Sequence, residues 1–173
     1  MIKIKSNFVG GRISSNSPDA MTILTNSKFG EKIGEKVFYS LQETLFLVDE
    51  KKLEVYDGTD KLIDREKLIK KFQKIDKKFK TKYFIFRDLR KRGHILKTAL
   101  KFGADFRVYE KGKPLGKNHA KWILYVASEN ETLKWQDFAA KNRIAHSTKK
   151  NLLIGVVDEE GSPTYYEIRW IKP

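Results

Sequence analysis

The amino-acid sequence predicts an α/β (α+β) protein in two parts. A small N-terminal α/β domain covers residues 1–80, and a C-terminal domain with a mixed sheet flanked by helices covers residues 81–173. Three observations lead there. Short runs rich in β-branched and aromatic residues alternate with segments whose apolar residues fall at three- and four-residue steps, the interleaving that places helices on a mixed sheet. The helical pattern stops at Lys80-Thr81-Lys82 and a new one begins. Finally, 40% of the 173 residues are apolar, with 11 Phe, 7 Tyr and 3 Trp, enough for a packed core at this length.

The elements follow in order. Residues 1–38 read as strands and turns: β-like runs at Ile2–Val9 and Thr22–Leu24, broken by Gly10-Gly11, Ser17-Pro18 and Gly30. Ser40 caps a helix through Asp49, with Leu41, Leu45 and Leu47 among its apolar positions. Leu53-Glu54-Val55-Tyr56 alternates as a strand and ends at the turn Asp57-Gly58. Asp64 caps a helix to about Lys80; Leu68, Ile69, Phe72, Ile75 and Phe79 share one face, and Lys67, Lys70, Lys71, Lys74, Lys77 and Lys78 the opposite one. A helix from Tyr83 stops at Gly93. Strands are expected at 95–100, 105–109 and 122–126, then a helix at 135–142. Two last strands, 152–157 and 165–171, are joined by the turn Asp158-Glu-Glu-Gly-Ser-Pro.

Composition narrows the function. The absence of cysteine removes disulfides, thiol catalysis and cysteine-based zinc or iron–sulfur sites. No apolar run approaches the ~20 residues that span a bilayer, and the first residues lack a secretory signal, so an intracellular, cytoplasmic protein without a membrane partner is expected. The net charge of +14 points to a polyanionic partner, nucleic acid before membrane. That charge is directional: residues 1–50 are neutral, 51–100 carry 17 cations to 7 acids, 101–150 carry 11 to 5, and 151–173 carry 2 to 4.

Several familiar motifs fail. Gly112-Lys-Pro-Leu-Gly-Lys-Asn118 is one residue short of a phosphate-binding P-loop and ends in Asn. No dinucleotide fingerprint is present. His94, His119 and His146 are too dispersed for a metal site, and Asp105 and Glu110, five residues apart, fall on opposite faces of a strand. No metal or other cofactor is expected. What remains is a tyrosine closing a strand (Tyr109), a lysine-rich loop, His119 ten residues on, and Arg143-Ile-Ala-His-Ser-Thr-Lys149-Lys150 leading from a helix to an apolar strand. Singly, such residues pack, hydrogen-bond or sit in solvent. Together, a Tyr, a His and Lys suit RNA cleavage by its own 2′-hydroxyl, which calls for a base, an acid and positive charge at the phosphate.

Ordered blocks carry a family resemblance: Arg87-Asp-Leu-Arg-Lys-Arg-Gly93, Lys97-Thr, Leu100-Lys-Phe-Gly-Ala-Asp-Phe-Arg-Val-Tyr109, Arg143-Ile-Ala-His-Ser with Lys150, Leu152-Leu-Ile-Gly-Val-Val-Asp158 and Thr164-Tyr-Tyr-Glu-Ile168. Through them the chain resembles the archaeal tRNA-splicing (tRNA-intron) endonucleases over nearly all of residues 83–173. Residues 28–56 match more loosely, through Gly34, Ser40-Leu-Gln-Glu-Thr-Leu-Phe-Leu and Leu53-Glu-Val. One departure is Ala120, where relatives often carry Ser after the histidine.

The resemblance implies a catalytic subunit that excises introns from precursor tRNA at bulge-helix-bulge structures without metal, leaving 2′,3′-cyclic phosphate and 5′-hydroxyl ends. It implies Tyr109 as base on the 2′-hydroxyl, His119 as acid to the leaving oxygen and Lys150 as charge stabiliser. Lys149 is the competing choice for the last role. Arg143 matches an arginine that stacks on a bulged base; Arg169 is the counterpart proposed for a second, and Lys149 is grouped with them as RNA-binding. Asp158, Glu159 and Glu160 match the acidic loop by which one subunit docks on another in a homotetramer or a heterotetramer, with residues 1–80 as an assembly domain. Because a phenol ordinarily ionises near pH 10, a tyrosine base calls for cations close by, and Lys111, Lys113 and Lys117 follow Tyr109. Two rival readings are a non-catalytic RNA-binding subunit and a metal-dependent nuclease.

Overall fold

A computed structural model describes residues 3–113 and 119–173. The chain forms two compact units, Met1–Lys80 and Thr81–Pro173, each built on a five-stranded mixed sheet with helices. Among the described residues, no helix is long and apolar enough to cross a membrane.

In the first unit β1 (Ile4–Val9), β2 (Arg12–Ser15), β3 (Glu31–Ile33), β4 (Lys36–Tyr39) and β5 (Leu53–Tyr56) lie in the order β3-β4-β2-β1-β5. β1 and β5 are parallel and the other pairs antiparallel. Thr22–Leu24 is not a strand. It lies inside helix α1 (Pro18–Ser27), because Ser17 caps the Ala20 N–H and Pro18 sits in the first turn, local signals that outweigh a short β-branched run. Helix α2 (Leu41–Asp49) opens with a capping box between Ser40 and Glu43. The buried Glu43 carboxylate accepts from both the Ser40 and Gly30 N–H groups, which satisfies a charge in the interior.

The helix capped by Asp64 is shorter than expected. α3 spans Arg65–Ile75, since Asp76 turns extended and accepts the Lys78 N–H, and α4 (Phe79–Lys91) starts there rather than at Tyr83. Phe79 therefore begins a helix instead of ending one, with its ring edge-on to Phe72 at 5.2 Å.

The second unit orders its strands β10-β9-β8-β7-β6: β6 (Ile95–Ala99), β7 (Ala104–Tyr109), β8 (Trp122–Ser128), β9 (Asn151–Val157) and β10 (Pro163–Ile168). All pairs are antiparallel except β8–β9, whose parallel pairing requires a crossover. Helix α5 (Trp135–Ser147) is that crossover, and it continues past the expected end at 142 to include Arg143 and His146.

Two faces of this sheet are distinct. On one, α4 packs: Phe86 meets Phe106, and Gly155 lies so near Ile85 that an added Cβ would come within 2.7 Å of its Cδ1. On the other, Ala145 of α5 joins Ile123, Tyr125 and Leu152, with Phe102 and Phe138 against them.

Candidate active site

The register of the second sheet determines which polar residues meet. Across β7, β8 and β9, Val108 faces Trp122 and Trp122 faces Asn151. One residue further toward the same end, the row is Tyr109, Lys121 and Lys150. The Lys121 N–H still bonds the Val108 carbonyl, and the Asn151 N–H the Lys121 carbonyl, so the row is held by backbone. Two strand spacings separate Tyr109 from Lys150, roughly 10 Å between Cα atoms, within the joint reach of their side chains. Arg107 faces Ile123, and Tyr109, two residues on, shares that face with it, as Lys150 does by its pairing.

Lys150 reaches its place through the end of α5. Thr148 ends the helix, Lys149 takes a left-handed conformation (φ 56), and the Lys149 and Lys150 N–H groups bond the His146 and Ala145 carbonyls. This is a Schellman turn with lysine where glycine is usual. It leaves Lys149 exposed and turns Lys150 inward. The Lys150 ammonium donates to the Thr148 carbonyl at 2.8 Å and lies 5.7 Å from the Phe102 ring. Burial, with a further contribution from the Arg107 guanidinium, lowers its pKa.

Tyr109 is held by its backbone. The His94 imidazole bonds the Tyr109 carbonyl at 3.0 Å through Nδ1, which must carry the proton because a carbonyl only accepts. The His94 ring also packs edge-on against Trp122, the first residue of β8. His94 follows α4 by a second Schellman turn, this one with Gly93 at the left-handed position.

His119 is exposed and lies two residues before Lys121, so its Cα is within ~7 Å of the row. The cations expected around Tyr109 are distributed differently. Lys113 is bound by Glu110, Lys111 lies against Gly93, and Lys117 falls outside the described residues. Arg107, Lys121 and Lys150, with Lys97 paired to Arg107, are cations that the register brings to the tyrosine's face; of these Lys121 is engaged by Glu110. Arg107 was missed in the sequence because its alignment with Tyr109 is clear only once the strand is known.

Arg143 is exposed on α5, one turn before His146. Arg169 is not a free cation: its guanidinium holds Glu167, which also accepts from the Trp122 indole. Asp158 caps its own turn through the Ser162 N–H at 2.7 Å, and Glu159 and Glu160 stand exposed beside it. Asp105 pairs with Lys82 and accepts the Val126 N–H, while Glu110 is clasped by Lys113 and Lys121, which depress its pKa to about 2. Among the described residues, no three His, Asp or Glu side chains form a metal-binding group. A hollow of about 210 Å³ lined by Leu89, His94, Trp122 and Glu167 opens on the α4 face, away from this row.

A phenol and several cations on one face of a sheet end suit a protein that engages a polyanion. Family models match most of the chain: the tRNA intron endonuclease N-terminal domain matches residues 4–69, and the tRNA intron endonuclease catalytic C-terminal domain matches residues 79–165. The tRNA-splicing endonuclease of Thermococcus kodakarensis is 38% identical over 164 residues, 94% of this chain and 95% of that protein. That of Nanoarchaeum equitans is 44% identical over 139 residues, 77% and 88% of the two chains. That of Methanothermobacter thermautotrophicus is 36% identical over 147 residues, 85% of each. The chain belongs to the tRNA intron endonuclease family, and it is an RNA-cleaving enzyme.

Proposed function

We propose that this protein cuts precursor tRNA in the cytoplasm at bulge-helix-bulge intron junctions, by a metal-independent transesterification at the Tyr109–Lys150 end of the second sheet. The observation that carries the reading is the register that aligns Tyr109 and Lys150 on one face, with Arg107 beside them. In this reaction the Tyr109 phenolate takes the 2′-hydroxyl proton. The 2′-oxygen forms a bond to phosphorus, the bond to the 5′-oxygen breaks, and His119 gives that oxygen its proton. The products are a 2′,3′-cyclic phosphate and a 5′-hydroxyl. Lys150 and Arg107 oppose the charge gathering on the phosphate, an effect strengthened by the partial burial of Lys150. Arg143 and Lys149, exposed around the end of α5, contact the bulged strand; Arg169 does so only if it exchanges Glu167 for phosphate.

The protein assembles as a tetramer through the turn carrying Asp158, Glu159 and Glu160, with residues 1–80 as the assembly domain. The pre-ordered turn and the exposure of Glu159 and Glu160 support that role.

The test is cleavage of an end-labelled bulge-helix-bulge RNA in EDTA by the wild type and by His119→Ala. Cyclic-phosphate ends from the wild type, with loss of cleavage but not of binding in the variant, are expected. Dependence on magnesium would overturn the metal-independent mechanism, and a fully active variant would overturn the role of His119.

A further inference from the structure

Helix α3 carries a feature that the chemistry above does not use. Its apolar side is anchored in the interior by Leu68 and Phe72, both fully buried, with the Phe72 ring against Phe8 and Phe79, although Ile75 at the helix end is half exposed. With that stripe fixed, Lys67, Lys70, Lys71 and Lys74 must face outward; Lys77 and Lys78 follow in the link to α4, and all six are exposed. The acids near α3 sit at its ends, Asp64 and Glu66 at the start and Asp76 after the last turn, with none from 67 to 75. Lys67 pairs with Asp64, and Lys71 lies over the Phe8 ring. Lys70, Lys74 and Lys77 have no acidic partner among the described residues.

Lysines at steps of three and four stand side by side and repel one another. The Lys67–Lys74 row extends about 10 Å along the helix, and the two lysines beyond it lengthen the patch. A nucleic-acid duplex presents a phosphate charge about every 2 Å of axis with both strands counted, so such a row faces several phosphates at once. The first 50 residues are neutral, and residues 61–80 hold nine cations to three acids, so the unit's charge is concentrated on this element rather than spread as a solubility coat. We infer that the lysine face of α3 is a second RNA-binding surface, which grips the phosphate backbone of a helical arm of the substrate at a place other than the cleavage site. This rests on precursor tRNA being the substrate.

The surface is tested with the full chain carrying K70Q, K71Q, K74Q and K77Q together. A control carries K32Q, K36Q, K51Q and K52Q, which removes the same charge from exposed positions of the same unit. Binding of a whole precursor tRNA is measured across salt concentration. The α3 variant is expected to flatten the slope of log affinity against log salt by about 2–3 and to lose about tenfold in affinity at moderate salt, with little change in the control. Its cleavage rate on a minimal bulge-helix-bulge fragment at saturation should equal that of the wild type. Equal slopes in the two variants, or a change confined to oligomeric state, would overturn the inference. Were the quadruple variant to misfold, K74E alone should flatten the slope by about 1. An inactive wild type that still binds RNA through α3 would count against the cleavage reading and not against this surface. Normal cleavage with an unchanged slope would count against this surface alone.

Discussion

Lys149 and Lys150 are neighbours in sequence with opposite situations. Lys149 holds a left-handed conformation that Gly93 holds in the equivalent turn after α4, and it is exposed; Lys150 is drawn inward beside Arg107. Lys149→Gly should therefore raise stability by up to about 1 kcal/mol in urea denaturation, while weakening RNA binding severalfold through the lost strand contact and leaving the cleavage rate at saturating enzyme unchanged. Lys150→Met should reduce cleavage by about a hundredfold or more, with a melting temperature no lower than that of the wild type, since a crowded, desolvated cation is removed. The pH dependence has a definite sign. A lysine whose pKa is depressed on folding opposes folding in full below that pKa, and the opposition fades as pH rises toward the ordinary value of 10.5. Any stability advantage of Lys150→Met at pH 8 should thus shrink at pH 10, as measured by denaturation at both. In the sequence only the family resemblance favoured Lys150 over Lys149, because the turn that divides them depends on a non-glycine residue adopting a conformation that usually signals glycine.

Elements of the second unit are locked together by residues that recur in the family blocks. Asp88 of α4 accepts the Tyr165 hydroxyl at 2.7 Å and the Arg92 guanidinium, which ties α4 to β10. At the far end of β9, Gly161 has φ 82, and an added Cβ would lie 2.8 Å from the Phe84 ring. Gly161→Ala should cost about 1–3 kcal/mol by chemical denaturation, from backbone strain and overpacking together. Strands and helices with strong local signals were legible: the Ser40 cap, the alternating Leu53–Tyr56 strand and the Tyr109 strand end all stand where their residues indicated. The failures have physical causes. Thr22–Leu24 reads as β by composition but is recruited by the Ser17 cap and Pro18. The apolar stripe from Leu68 to Phe79 continues across the end of α3 at Asp76, because Phe72 and Phe79 share one core while belonging to different helices.

At the scale of the whole molecule, a chain of net charge +14 exposes Glu159 and Glu160 on an ordered turn, and that contrast supports the proposed assembly. The Asp158 carboxylate is engaged within its turn and Glu159 accepts a long bond from the Asn130 amide, so the exposed Glu160, with Glu159 beside it, is the group most available to a partner. Glu159→Lys with Glu160→Lys should lower the mass seen by light scattering and leave the melting of the isolated subunit unchanged; an unaltered mass would exclude this turn from the interface. The candidate site was legible as a list of residue types and spacings, and Arg107 was not, since pairing across β7, β8 and β9 is a property of the folded sheet. The central claim is that this sheet end is where RNA is cut. It is tested most directly by Tyr109→Phe, which keeps the ring and removes the hydroxyl, under single-turnover conditions with saturating enzyme. A rate lower by about 10²- to 10⁴-fold with unchanged RNA affinity is predicted; cleavage at the wild-type rate would contradict the account.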